Sequence, residues 1–298
     1  MRETGDRIGI ALFAAAAVFG GGNAVGVRFS NRELDPLWGA ALRFGAAALL
    51  LLAIMAARRL AFPRGRALAG AVVFGLLNFG VTFALAYYAL VYLHAGLAQT
   101  ILSLVPLVTL LLTVAQHQER FRPALLAGTL LAAGGVAVIS QSPLRASVPL
   151  LALLAVFGAV LCFAEAAVLV HRLPKVHPVT MNAVGMSAAA LALFAGSFAA
   201  GDDWVAPRLA ATWWAIAYMV VAGSVLTFVF YLMLVDRWGP SRSVYVFVVI
   251  PPVTILLSAW LDGEPLTWSL LLGAPLVLLG VYLGALRHPK GEPGPAAG

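Results

Sequence analysis

The chain has 298 residues, 62% of them apolar and only 10% charged, with a net charge of +7 and a mean hydropathy of +0.97. A soluble domain carries roughly a quarter charged residues, so a water-facing globule is excluded and hydrocarbon is the solvent. The positive charge is the loop bias of a membrane protein rather than affinity for nucleic acid, and the single cysteine, Cys162, excludes an intrachain disulfide and a cysteine-rich metal site.

A membrane-spanning helix needs about 20 mainly apolar residues. Cutting at charged and Pro/Gly-bearing breaks predicts ten spans: 8–27, 36–57, 67–86, 95–115 and 123–140, then 148–170, 178–200, 209–235, 241–261 and 266–286. The first run follows Arg2 and Arg7 and is rich in small residues, the outline of a cleavable leader. It is expected to remain as the first helix, because it has a counterpart in the second half of the chain. No charge marks the turn between Tyr87 and His94, but the apolar stretch 67–115 is too long for one helix and fits two. His94 there is expected at the surface. The tail 288–298 is rich in Pro and Gly and is expected to be disordered.

With a cytoplasmic N-terminus, these spans put 14 basic residues on the inner side and 4 (Arg28, Arg32, Arg145 and Arg208) on the outer, with Arg43 alone inside a span. That asymmetry sets both termini in the cytoplasm and the chain in the bacterial inner membrane as a multi-pass protein.

The second half repeats the first. PLVTLLLTVAQHQE from Pro106 to Glu119 matches PPVTILLSAWLDGE from Pro251 to Glu264 at an offset of 145, which also pairs Thr82-Phe83 with Thr227-Phe228. An offset of 142 pairs Pro36 with Pro178 and Asn23 with Glu165. The expected division is a first repeat, 1–143, and a second, 144–287. Because five helices is an odd number, the repeats enter the membrane from opposite sides, and inverted repeats carry their sites near the midplane between the halves. The fold class predicted is an all-α membrane protein of ten transmembrane helices in two inverted five-helix repeats.

The two matched segments resemble the EamA-type permeases of the drug/metabolite transporter superfamily, which carry a proline in the fourth helix of each repeat and a Gly-Glu step after it. Here LDGE at 261–264 fits and AQHQE at 115–119 lacks the glycine. The resemblance covers the chain up to Arg287 and is nearest the bacterial amino-acid exporters of the aromatic type. It implies export of an amino acid by alternating access, with drugs, sugars and other small metabolites as the alternative cargo, and with no cofactor.

Polar side chains within spans face a cavity or a partner. Glu165 costs about 2.5–3.5 kcal/mol on insertion scales, and no base lies within a turn on its own helix. It is read as a ligand for a substrate ammonium or a proton carrier, with a neutral hydrogen-bonded acid as the alternative. Arg43 lies about 10 Å into its helix by helical rise, a depth that favours a structural role, pairing with a local acid or snorkelling outward, with binding of a substrate carboxylate as the alternative. Asn23, Asn78, Thr82, Gln99, Ser103, Thr227, Tyr231, Ser243 and Tyr245 complete the candidate substrate-binding set. Amide and hydroxyl groups suit both ends of a zwitterion, although Ser and Thr also serve as ordinary glue between membrane helices. Tyr87, Tyr88 and Tyr92 are expected in the interfacial belt. Pro106, Pro251 and Pro252 interrupt the hydrogen-bond ladder and are candidate hinges. Motifs for zinc hydrolysis, a serine elbow or a phosphate loop are absent from the sequence, so an enzyme, a channel and a scaffold rank below a transporter.

Overall fold

The computed structural model describes residues 2–92, 101–118, 121–140, 149–261 and 268–286, and all their regular structure is helical. Helices α1 (Arg2–Gly21) and α2 (Asn23–Ser30) form the first predicted span, broken at Gly22. They are followed by α3 (Pro36–Ala57), α4 (Arg66–Gly75), a π-helical turn (Leu76–Val81) and α5 (Thr82–Tyr92). Next come α6 (Val105–Ala115), α7 (Pro123–Ser140), α8 (Leu150–Arg172) and α9 (Pro178–Ala200). The series ends with α10 (Ala210–Tyr218), a second π turn (Met219–Leu226), α11 (Thr227–Trp238), the short α12 (Pro240–Ser243), α13 (Val246–Leu261), α14 (Trp268–Val281) and a third π turn (Tyr282–Leu286). Gln99, His94 and the tail 288–298 lie outside the described residues.

Among the described residues, six helices are long and apolar enough to cross a membrane: Arg7–Val27, Pro36–Ala57, Arg66–Ala89, Leu150–Arg172, Pro178–Ala200 and Ala210–Trp238. Shorter apolar helices cover Val105–Ala115, Pro123–Val138 and Pro275–Gly284.

Local chemistry sets the ends. Pro36, Pro178 and Pro240 occupy the first turn of α3, α9 and α12, where the missing N–H would have no intrahelical partner anyway. The His177 ring caps α9 by accepting from the Val179 N–H at 3.2 Å. Gly201, at φ +75°, closes α9 in the left-handed conformation that glycine adopts without penalty.

Lipid tails supply no hydrophobic drive between helices, so close packing does. On α3 the alanines 40, 41, 47 and 48 are buried, as are Ala183, Ala189 and Ala190 on α9, which packs beside it. Gly75 and Gly185 bring the α4–π junction and α9 to backbone contact, and a side chain on Gly75 would strike the Gly185 backbone. Gly128 of α7 meets Gly280 and Gly284 of the last helix in the same way, so the GxxxG spacing at 280–284 is a helix–helix contact.

The π turns carry a repeated device. Thr82 Oγ1 donates to the Leu77 carbonyl at 2.7 Å, and Thr227 Oγ1 donates to the Ala222 carbonyl at 2.8 Å. Both bonds run back five residues, at positions related by the offset of 145 seen in the sequence. A π turn leaves the helical ladder one residue out of step, and each threonine satisfies a carbonyl there.

Candidate substrate-binding site

Three irregularities converge on one point. The span Arg7–Val27 breaks at Gly22, the span Ala210–Trp238 is π-helical through Met219–Leu226, and α3 projects Arg43 between them. Arg43 is fully buried. Its Nε donates to Ser224 Oγ at 2.8 Å, and its Nη2 donates to Asn23 Oδ1 at 3.0 Å and to the Gly223 carbonyl at 3.2 Å. Among the described residues, Nη1 meets the Met219 thioether at 3.9 Å and no oxygen acceptor in good geometry. Asn23 Nδ2 donates to the same Gly223 carbonyl at 3.1 Å. The guanidinium also lies over the rings of Phe44 and Phe83, 5.0 and 5.3 Å from their centroids. Carbonyls released at the breaks are collected from other helices: Gly21 by Thr254 Oγ1 at 2.6 Å and Phe19 by the Tyr218 hydroxyl at 2.9 Å.

Arg43 therefore neither snorkels nor pairs with an acid among the described residues, which corrects the expectation drawn from its depth. Tyr87, expected in the interfacial belt, is instead buried against the guanidinium; Tyr88 and Tyr92 are the exposed members of that set. Sequence alone could have flagged Tyr87 only through its spacing from Phe83, one helical turn earlier on α5.

A row of aromatic rings leads away from Arg43. Phe44 and Phe83 meet edge to face at 4.8 Å, Phe44 lies 5.4 Å from Phe79, and Phe79 meets Phe228 edge to face at 4.8 Å. Phe228 then lies 6.5 Å from Phe247, which packs on Phe163 at 4.6 Å and on Tyr231 at 5.1 Å. The row crosses from the first half of the chain to the second. Along it are buried polar groups without hydrogen bonds among the described residues: both side-chain atoms of Asn78, next to Phe79 in the chain, and the hydroxyl of Tyr231 within the row itself. In a dry interior such groups each cost about 1–3 kcal/mol.

The remaining candidates divide. Asn23 belongs to the Arg43 cluster; Thr82 bonds to the Leu77 carbonyl and reaches the Ala159 carbonyl of α8, and Thr227 bonds within its own helix. Ser103 is buried at the interruption just before α6. Ser243 donates to the Gly239 carbonyl at 2.7 Å. Tyr245 is buried elsewhere, donating to the Leu125 carbonyl and sharing a hydrogen bond with Thr129, both at 2.7 Å, in the core formed with α7. Pro106 stands in the first turn of α6, directly after the interruption at Ser103 and Leu104, whereas Pro251 and Pro252 lie inside the continuous α13.

Glu165 stands apart from Asn23. It is half-buried on α8, seven residues before the helix end, and accepts from Gln116 Nε2 at 2.8 Å. Gln118 Nε2 donates to the Val168 carbonyl at 3.1 Å, and Arg172 donates to the Gln116 carbonyl. The end of α6 is thus tied along one side of α8.

At the other end of the bundle the loops 31–35 and 201–209 are clasped. The Glu33 carboxylate accepts from Thr212 Oγ1 at 2.6 Å and from the N–H groups of Arg208 and Leu209 at 3.0 and 3.1 Å. The Thr212 bond above all, then the backbone bonds and the nearby Arg208 charge, holds its carboxyl below the ordinary glutamate value. Asp35 accepts from the Asp203 N–H at 2.9 Å, and Trp38 stacks on Trp204 at 5.2 Å.

The EamA-like transporter family matches the chain twice, at residues 7–141 and again at 150–285. The chain belongs to the EamA-like transporter family. It is 28% identical to the uncharacterized inner membrane transporter YedA of Escherichia coli K12 over 281 residues, 92% of this chain and 91% of that one. An uncharacterized transporter of Archaeoglobus fulgidus is also 28% identical, over 285 residues covering 91% of this chain and 96% of its own. Neither description names a substrate, so the likeness to aromatic amino-acid exporters receives no support from these relatives. A solved crystal structure superposes with a TM-score of 0.77 at 19% identity, covering 96% of this chain and 98% of its own, which shows the fold. This EamA-family protein is accordingly a multi-pass inner-membrane transporter.

Proposed function

We propose that this transporter exports amino acids, aromatic and other neutral ones among them, together with related metabolites, across the bacterial inner membrane by alternating access. The observation that carries this reading is the row of aromatic rings that begins at a buried guanidinium and runs between the two halves of the chain. Flat rings accept an aromatic or aliphatic side chain by edge and face contacts, and the amides and hydroxyls of Asn23, Asn78 and Tyr231 suit its polar end. In this reading the ten helices form two inverted five-helix repeats, 1–143 and 144–287, with both termini in the cytoplasm. The loops 31–35 and 201–209 then close the periplasmic side, and the Gln116–Glu165 contact closes the cytoplasmic side. Opening alternates between them, with α6 bending at Pro106 and α13 at Pro251 and Pro252. Gln99 and Ser103, ahead of that bend, and Ser243 and Tyr245, ahead of α13, would move with it.

Counterflow of radiolabelled Phe, Trp, Thr and Met in proteoliposomes, with and without a pH gradient, tests the proposal. Saturable exchange of the aromatic amino acids is the expected result. Flux of sugars or cationic drugs with no amino-acid flux would assign the alternative cargo. A response to the pH gradient that disappears in Glu165→Gln would identify proton coupling, and an unchanged flux would identify uniport.

A further inference from the structure

We propose that Arg43 is the anion-recognition centre of this transporter, with Nη1 and the Tyr87 hydroxyl taking the carboxylate of the substrate. The assignment deepens the function proposed above and rests on it for the identity of the cargo. It starts from the charge itself. Arginine stays ionised in proteins, and Arg43 is fully buried with no acidic side chain among the described residues acting on it. A permanent buried cation needs a counter-charge, because desolvation penalises it far more than a neutral group. Hydrogen bonds to Asn23, Gly223 and Ser224 orient the guanidinium but bring no negative charge.

The donor inventory then says where the counter-charge belongs. Of five N–H groups, the one on Nε and the pair on Nη2 are bonded to oxygen atoms, leaving Nη1 with a distant thioether. The Tyr87 hydroxyl stands against the same guanidinium without a hydrogen bond of good geometry. Two donors around one edge of a cation are what a carboxylate requires. The aromatic row starts at Phe44 and Phe83, the rings beneath the guanidinium, so an amino acid anchored there lays its side chain along the row. The same positive charge opposes an ammonium group that has no carboxylate beside it, which makes a simple cationic drug a poor cargo.

The test uses four probes that differ only at the polar end: phenylalanine, 3-phenylpropanoate, phenylalaninamide and phenethylamine. Thermal stabilisation of the purified full-length protein in nanodiscs reads binding, and inhibition of phenylalanine counterflow reads the transport site. The two carboxylates are expected to bind and the amide and amine to bind roughly 10- to 100-fold more weakly. That preference should vanish in Arg43→Gln, shrink in Tyr87→Phe, and survive in part in Arg43→Lys, which keeps the charge and loses the fork. If Arg43→Gln does not fold, the wild-type ranking decides: equal binding of amide and acid overturns the proposal. Stabilisation by chloride at matched ionic strength, with none by the carboxylates, also overturns it. A protein that carries no amino acid but is stabilised by 3-phenylpropanoate through Arg43 would refute the proposed cargo and leave the anion site standing.

Discussion

Two ionisable side chains lie within the apolar helices of this protein, and the folded chain treats them in opposite ways. Glu165 is half-buried near the end of α8 and answered by one neutral amide, that of Gln116. Arg43 is wholly enclosed, bonded to α2 and the second π turn from its place on α3, and meets no acid among the described residues. Sequence favoured the acid for function because a charge within a span is costly and no base lay within a turn of it, and favoured structure for the arginine because of its depth. What the contrast teaches is that the cost of a charge in a membrane helix is decided by the neighbours other helices bring, not by distance along its own.

The largest effect expected from breaking this contrast is that of Arg43→Met. A shorter apolar side chain should reduce phenylalanine flux by at least about 100-fold and also lower unfolding stability, because Asn23 Oδ1 and Ser224 Oγ lose their buried donor, at about 1–3 kcal/mol for each group left unsatisfied. Flux in proteoliposomes and thermal unfolding in detergent check both halves. Loss of stability without loss of specificity in the residual flux would make Arg43 a staple only. Next in size is Gly223→Ala. The added methyl would strike the Asn23 amide, displacing it from Arg43 at a cost of about 1–3 kcal/mol and lowering the affinity for phenylalanine in counterflow. Glu165→Gln should do less, about tenfold in flux or under, since an amide can still bond Gln116 and a neutral hydrogen bond is worth ~1 kcal/mol.

The smallest effect belongs to the clasp around Glu33. Its folded pKa is lowered, so its contribution is fully present above the ordinary value near 4.5 and is lost as pH falls through the lower folded value. Thermal unfolding between pH 3 and 7 should therefore show a small step at the acid end that Glu33→Gln removes. Above pH 5 the variant should differ from the parent by no more than the loss of one exposed, charge-assisted cluster of hydrogen bonds.

Much of the fold was legible in the chain. Apolar run lengths placed six full spans within a few residues of their helices. The threonine pair at 82 and 227 was visible as a repeated residue, but its role in the π turns was not, because a hydrogen bond five residues back has no signature in composition. Tyr245 shows the same limit: a continuous span 241–261 was foreseen, yet the chain turns at residues 244–245 between α12 and α13, and Tyr245 bonds to α7 rather than facing the row of rings.

Sequence by itself determined the solvent, the helical class, the approximate span boundaries and the internal repeat, since all four follow from hydropathy, charge and spacing read along the chain. Only the tertiary structure decided which buried polar group matters. The Arg43 cluster is assembled from Asn23, Arg43, Tyr87, Gly223 and Ser224, residues up to 200 positions apart. Charge compensation is a property of space, and the chain supplies it only after the helices have packed.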